Sequence, residues 1–213
     1  MKLYDFFRSS AAYRVRIALA LKGLTAERAF VHLRNGAQRS DEYLAINPYG
    51  LVPALQTDAG AVLTQSIAII EWLDETYRDP PLLPGDSESR ARVRAVALAI
   101  ACDIHPLNNL RVLQYLTGTL GLADAQRDEW YRHWVDVGFE GLERQLSDSP
   151  ATGRFCHGEH PTLADICLVP QLANARRLKV DLAPYPTLAR IGSTCATHPA
   201  FVAAAPENQQ DAE

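Results

Sequence analysis

The chain has 213 residues, of which 47% are hydrophobic and 22% charged, a globular composition that excludes a disordered or fibrous protein. The formal net charge of −4 argues against broad nucleic-acid binding, for which a basic excess is expected. At ~150 residues per domain, the length allows one compact domain or two small ones.

The first ~80 residues alternate between strand and helix signals. Leu3–Phe7 is a short aromatic run that predicts a strand, and Ser9 and Ser10 follow as helix caps. Val15, Ile17, Ala18, Leu19 and Leu21 recur at helical spacing until Gly23. Ala29–Leu33 reads as a second strand and Asp41–Ile46 as a short helix stopped by Asn47-Pro48. Leu51–Gln56 and Ala61–Thr64 read as strands across a turn at Asp58-Ala59-Gly60. From Ser66 a helix carries Ile67, Ile69, Ile70, Trp72, Leu73 and Tyr77. The order β-α-β-α-β-β-α predicts a mixed sheet with helices packed on it. Pro53 lies inside a strand-like run, where proline marks an edge or a special bend.

Asp79-Pro80-Pro81-Leu82-Leu83-Pro84-Gly85-Asp86 reads as a linker, and strand signals stop beyond it. Arg90–Leu120 predicts one long helix kinked at Pro106. Asp124–Leu146 predicts another, with Trp130, Trp134, Val137, Phe139 and Leu142 as apolar anchors. Pro161-Thr162-Leu163-Ala164-Asp165 is a helix start in which Asp165 can reach back to the Thr162 amide. That helix runs to about Leu178, past Pro170. Two shorter ones follow from Tyr185-Pro186 and His198-Pro199, and the polar tail after Pro206 is expected to fray. The plan is an α/β domain over residues 1–80, an all-helical domain over 86–206, and a tail at 207–213.

The four cysteines at 102, 156, 167 and 195 form no CxxC or CxxH, so neither a zinc site nor a redox dithiol is expected, and no metal is assigned. Scattered unpaired thiols in a chain with its own core predict a cytoplasmic protein. No run reaches the ~18 apolar residues of a membrane span, and Asp5 and Arg8 interrupt any export-signal core, so no membrane partner is expected. Of the 21 basic residues, 18 are arginine and three are lysine (Lys2, Lys22, Lys179). The bland reading is codon usage; the sharper one is that some arginines grip planar anions as bidentate forks.

Three stretches concentrate chemistry. Arg8-Ser9-Ser10 sits where a strand gives way to a helix, where amides and dipole favour an anion, a thiolate included. Gln65-Ser66 repeats that arrangement and suits a carboxylate, although a plain cap explains each serine taken alone. With the strand at Val52-Pro53, the two helix starts suit one extended peptide-like ligand. Asp103, His105, Asn108, Asn109 and Arg111 crowd around Pro106 and suit the polar wall of a cleft. Asp103 and His105 are i, i+2 on a helix and point apart, which disfavours a metal pair.

Taken together, these strings resemble the zeta class of glutathione transferases, which includes the maleylacetoacetate and maleylpyruvate isomerases. The class signature Ser-Ser-Cys-x-Trp-Arg-Val-Arg-Ile-Ala-Leu reads here Ser9-Ser10-Ala11-Ala12-Tyr13-Arg14-Val15-Arg16-Ile17-Ala18-Leu19. Asn47-Pro48-x-x-x-Val52-Pro53, Gln65-Ser66-x-Ala68-Ile69-Ile70-Glu71, Pro106-Leu107-x-Asn109-Leu110, Leu168-Val169-Pro170-Gln171 and Lys179–Pro186 follow in order. The resemblance spans Lys2 to about Pro206. It implies a thioredoxin-like N-terminal domain, an all-α C-terminal domain, a homodimer and glutathione as the bound thiol.

By matching position, the resemblance makes Ser9 the partner of the glutathione thiolate. Ser9, Ser10, Ala11, Ala12, Tyr13 and Arg14 would line the peptide. Gln38, Val52, Pro53 (in cis), Gln65 and Ser66 would hold its backbone and γ-glutamyl end. Asp103, His105, Asn109, Leu110 and Arg111 would close the site from the helical domain. Arg8, Arg111 and Arg177 are assigned to a small dicarboxylate substrate. His105 stands where many members carry glutamine. Ala11 replaces the signature cysteine, which removes the protein thiolate a glutaredoxin-like or omega-like reductase would need. The implied reaction is cis–trans isomerisation of maleylacetoacetate or maleylpyruvate. The alternatives are a general transferase acting on electrophiles or α-haloacids, and a non-catalytic glutathione-binding scaffold.

Overall fold

A computed structural model describes all 213 residues, Met1–Glu213. The chain divides into two compact units: Met1–Leu82 together with Thr197–Glu213, and Leu83–Ala196.

The first unit is built on a four-stranded sheet in the order β2-β1-β3-β4, with β1 Lys2–Asp5, β2 Glu27–Phe30, β3 Ala54–Gln56 and β4 Val62–Thr64. β1 pairs parallel to β2 (Lys2 opposite Glu27) and antiparallel to β3 (Lys2 opposite Gln56). β3 pairs antiparallel to β4, with Leu55 opposite Leu63. The strands are shorter than the aromatic and β-branched runs suggested. Phe6, Phe7, Val31 and Val52 leave the ladder and pack with Tyr43 in an apolar cluster instead. Helix α1, Ser10–Leu21, is enclosed on nearly every side, with Ala12, Val15, Ile17 and Ala18 fully buried. It packs against α3, Ser66–Thr76, and against α9, Pro199–Ala204, a helix from the far end of the chain. Helix α2, Asp41–Ile46, falls where predicted, capped by Ser40, whose Oγ accepts from the Tyr43 amide.

The last residues, expected to fray, are placed against the unit by side-chain hydrogen bonds. A short 3-10 turn, Pro206–Asn208, is followed by residues anchored through side chains. Gln209 Nε2 donates to the Ala203 and Ala205 carbonyls, at 2.9 and 2.7 Å, and its Oε1 accepts from Arg28. Polarity suggested solvation; these groups find protein partners instead.

Lys22 explains one of the three lysines. Its ammonium is buried and donates to Asp74 Oδ1 (2.6 Å), the Tyr77 carbonyl (2.7 Å) and the Pro80 carbonyl (2.5 Å). Three acceptors around one point suit an ammonium, whose three donors are not held in a plane; a guanidinium fork would not match them. Asp74 also accepts from the Leu82 amide, so this pair ties α3 to the segment that leaves the unit.

The second unit is all helical: α4 Ser87–Leu98, α5 Leu110–Gly118, α6 Asp124–Ser147, α7 Leu163–Arg177 and α8 Pro186–Ala196. The single kinked helix expected over Arg90–Leu120 is instead a broken series. α4 passes into a π-helical stretch, Ala99–Ile104, then a 3-10 turn, His105–Asn108, and Asn109 (φ −68°, ψ 150°) opens α5 as its N-cap. Pro106 has no amide to donate, so an ordinary i to i−4 ladder cannot run through it. The widened turn before it and the tightened one after it absorb the mismatch. Gly138 of α6 makes room for this geometry, since a Cβ there would lie 2.3 Å from Ile104 Cδ1.

The start of α7 follows the predicted reach-back. Asp165 is fully buried and accepts from the Thr162 amide (2.8 Å), the Thr162 hydroxyl (2.9 Å) and the Cys156 amide (2.8 Å). Burial raises its pKa, and these hydrogen bonds oppose the rise. Val137, expected as an apolar anchor of α6, is 49% exposed, whereas Phe139 and Leu142 are buried. No helix is long and apolar enough to cross a membrane.

Candidate functional site

In the first unit, the end of β1 and the start of α1 place Ser9. It has extended backbone (φ −68°, ψ 115°) and caps α1, its Oγ accepting from the Ala12 amide at 3.2 Å. Capping uses a lone pair and leaves the hydroxyl proton available as a donor. The cap and the thiolate partner are therefore compatible roles of one oxygen. Ser9 is half-buried and Arg8 exposed, while Ser10, Ala12 and Tyr13 are buried. Tyr13 turns its hydroxyl to the Phe201 carbonyl, 3.3 Å away. Ser10, Ala12 and Tyr13 therefore offer a ligand little beyond main chain. Ala11, half-buried, leaves α1 without a thiol in its first turn.

The segment entering α1 is held from below by Arg16. Its Nη1 donates to Asp5 Oδ1, its Nη2 to the Phe7 carbonyl and its Nε to the Ala204 carbonyl, each at 2.9 Å. Burial lowers the Arg16 pKa to about 10, opposed by Tyr13 and Asp211, so the group stays charged at neutral pH.

The second helix start is strained. Gln65 precedes α3 with φ 68° and ψ 117°, the left-handed side of backbone space, unusual for a residue other than glycine. No side chain caps α3, so its first amides are not claimed by a capping group. Such strain concentrates where a ligand needs a particular backbone direction. Ser66 is buried, and its Oγ accepts from Arg14 Nη1 at 3.3 Å. Arg14, 2% exposed, thus connects α1 to the start of α3.

Val52-Pro53 is a cis peptide, as the resemblance implied; a second, Asp79-Pro80, was not foreseen. Val52 precedes the paired residues of β3, so its N–H and C=O belong to no ladder. Gln38 is buried in the 3-10 turn Ala37–Arg39, and its Oε1 has no protein partner. A buried carbonyl oxygen without a donor calls for one from outside the chain. A tripeptide with amide donors and a terminal carboxylate fits this set: an orphaned acceptor at Gln38, unpaired main chain at Val52, uncapped amides after Gln65 and a hydroxyl donor at Ser9.

The second unit carries the remaining candidates. Asp103, Leu110 and Arg111 are exposed, and His105 and Asn109 half-buried. Asn109 is committed locally, because its Oδ1 accepts from the Arg111 amide (3.3 Å) and its Nδ2 lies 3.5 Å from His105 Nε2. Arg111 is thereby held in the first turn of α5. Arg177, exposed at the end of α7, contacts Asn174 Oδ1 at 3.5 Å. It also faces Tyr131, whose pKa burial raises and Arg177 opposes. No group of three or more His, Cys, Asp or Glu side chains is placed to hold a metal ion. The sequence reading missed Arg16, Asp5 and the tail residues behind the Ser9 turn. The signal for the tail was present in the alternation Gln209-x-Asp211-x-Glu213, read there as plain polarity.

A thioredoxin-like sheet unit followed by a helical unit is the plan of the glutathione S-transferases. The model of the glutathione S-transferase N-terminal domain matches residues 8–76 and that of the C-terminal domain residues 124–191. A probable maleylacetoacetate isomerase of Vibrio cholerae is 52% identical over 99% of this chain and 97% of its own length. A solved maleyl pyruvate isomerase, described as a bacterial zeta-class glutathione S-transferase, superposes with a TM-score of 0.98 at 47% identity, with both chains fully covered. The maleylacetoacetate isomerase of Methylobacterium extorquens AM1, solved with malonate and glutathione bound, gives 0.97 at 42% identity, again over both full chains. The chain belongs to the zeta class of glutathione S-transferases, in the family of maleylacetoacetate and maleylpyruvate isomerases.

Proposed function

We propose that this chain is a glutathione-dependent cis–trans isomerase that converts maleylacetoacetate or maleylpyruvate to its fumaryl isomer. The observation that carries the reading is identity of 52% across essentially the whole of both chains with a probable maleylacetoacetate isomerase. Bound glutathione supplies a thiolate that adds to the cis double bond and leaves again once that bond has rotated. Ser9 donates a hydrogen bond from its hydroxyl to the sulfur, and the α1 N-terminus favours the negative charge, which keeps the thiol ionised near neutral pH. Val52 offers main-chain hydrogen bonds to the peptide, Gln38 accepts one from it, and the amides after Gln65 receive its carboxylate. Arg8, Arg111 and Arg177 hold the carboxylates of the substrate and stabilise the charge that moves onto its carbonyl oxygen. Asp103, His105, Asn109 and Leu110 are the further ligand contacts that the family resemblance assigns within the helical unit. With alanine at position 11 the working sulfur is that of glutathione, not of the protein.

The reading extends to a homodimer and to the cytoplasm, where the four free thiols stay reduced. The test incubates the purified chain with each maleyl acid, with and without glutathione, and follows the fumaryl product. Turnover that requires glutathione is expected. Its absence with both acids, alongside conjugation of a chlorinated aromatic substrate, would replace the isomerase with a general transferase. Light scattering after gel filtration reads the oligomeric state.

A further inference from the structure

Phe7 has an unusual pair of partners. It lies between the last residue of β1, Asp5, and the cap of α1, Ser9, and its main chain makes no ladder bond of its own. Its carbonyl accepts from Arg16 Nη2 at 2.9 Å, and its amide donates to Asp211 Oδ2 at 2.9 Å, across 204 residues of sequence. The Ser9 amide donates to the Phe6 carbonyl, also at 2.9 Å, and closes the turn. The Phe7 ring is buried, so the residue has little freedom to swing. The direction in which the chain leaves Phe7 sets where Arg8 and Ser9 point.

Asp211 belongs to a strap in which alternate side chains hold the body of the unit. Gln209 accepts from Arg28 Nη1 at 3.0 Å, and Glu213 pairs with His32 and with Arg34. Asp211 also sits in the field of two buried or half-buried cations, Arg16 and Arg28, which in turn pair with the fully buried Asp5. Asn208, Gln210, Ala212 and Glu213 are exposed, so the strap buries little apolar surface of its own. What it contributes is directed polar contact, and a hydrogen bond to a carboxylate is among the stronger kinds.

We infer that the C-terminal strap Gln209–Glu213 positions the Arg8-Ser9 turn, and that Asp211, through the Phe7 amide, is the positioning residue. The inference rests on the reading of Ser9 as the partner of the glutathione thiolate. Asp211 touches neither thiol nor substrate; it acts by fixing the peptide two residues before the cap.

The test uses the full chain carrying Asp211→Ala or Asp211→Asn, with glutathione and maleylpyruvate or maleylacetoacetate. The bound thiolate is followed by its ultraviolet absorbance as pH rises, and exchange of the Phe7–Ser9 amides is measured in the free protein. Asp211→Ala is expected to lower kcat about tenfold, because small misplacements of a reacting group are costly. It moves the thiolate titration to higher pH and speeds exchange at Phe7–Ser9, with KM for the acid within about twofold. The melting temperature falls by no more than about 4 °C, the loss of one hydrogen bond. Asp211→Asn keeps an oxygen for the Phe7 amide and restores most of kcat. Parental kcat, titration and exchange in Asp211→Ala would overturn the inference. So would a loss that only follows the melting temperature and that Asn does not rescue. If the parent itself shows no glutathione-dependent turnover, the functional reading falls, and exchange at Phe7–Ser9 still decides whether the strap holds the turn.

Discussion

Arg14 Nη1 donates to Ser66 Oγ at 3.3 Å, with both residues buried, so the starts of α1 and α3 are joined by a single side chain. Each helix presents its N-terminal dipole and amides to an anion, and a rigid link between them fixes the distance between two anion positions. Substituting Ser66→Ala removes an acceptor from a buried guanidinium, which costs about 1–3 kcal/mol. It also loosens the α3 start that is assigned to the glutathione carboxylate. The expected outcome is about tenfold weaker glutathione binding by calorimetry, a loss of ~1.4 kcal/mol, with a smaller effect on the KM of the diacid. In a double-mutant cycle, Ser66→Ala and Arg14→Met should show a coupling of about 0.5–3 kcal/mol. Additive losses would mean the pair does not act as one link.

Much of this arrangement was legible in the sequence, and for physical reasons. A capping serine after a strand, an apolar helix closed by Gly23 and the Thr162–Asp165 start are local signals, and the structure places each where it was read. Prediction was weaker where tertiary contacts decide. β2 lies two to three residues earlier than expected: beyond Phe30 the Val31 amide still donates to the Asp5 carbonyl, but its side chain joins the apolar cluster. The break at Asn109 depends on a π-helical turn that Gly138 accommodates from another helix, and no window around Pro106 carries that information. Fraying was expected of the tail because its partners, His32, Arg34, Arg28 and Phe7, are remote in sequence. At the site, residue types were readable, while the commitments of Tyr13 to Phe201 and of Asn109 to its own helix cap were not.

The close approach of α6 to the π-helical stretch makes Gly138 a sharp probe. A Cβ at this position would lie 2.3 Å from both Cδ1 and Cγ1 of Ile104, far inside contact distance. Ile104 is buried and cannot swing into solvent. Gly138→Ala is therefore expected to destabilise the chain by about 1–3 kcal/mol, the usual range for overpacking. At roughly 2–4 °C per kcal/mol for a chain of this size, the shift is readily measured by thermal melting. Combining it with Ile104→Ala removes the obstructing atoms, and the double variant should be more stable than the sum of the two losses. Strict additivity would show that the clash is relieved elsewhere.

The four cysteines should divide by burial. Cys102 is exposed, whereas Cys156, Cys167 and Cys195 are buried. Burial raises the Cys156 and Cys195 thiols, with Asp165 adding to both, which suppresses their thiolates. A chromogenic disulfide reagent at neutral pH is expected to titrate one thiol rapidly in the native protein and all four after unfolding. Cys102→Ser removes the fast reaction. Fast modification of a second thiol in the native state would show that the α7–α8 region opens more readily than its packing indicates.

The end of the chain gives a pH prediction with a definite sign. Glu213 faces His32 and Arg34, and its carboxyl is held below its ordinary value of 4.5, first by the His32 hydrogen bond and then by the charge of Arg34. A carboxylate whose folded pKa is depressed contributes stability that is complete above the unfolded value and is lost as pH falls through the folded one. Docking of the strap by this contact should therefore be full at pH 6 and weaken as pH drops below 4.5. Glu213 is solvent-exposed, so the effect is local release of the tail rather than unfolding of the unit. Hydrogen exchange of the 197–213 peptide, corrected for intrinsic rates and compared between pH 6 and pH 3.5, measures it. Glu213→Gln should lower protection at pH 6 toward the acid level of the parent and flatten the dependence on pH. An unchanged pH profile in that variant would remove Glu213 from the clasp.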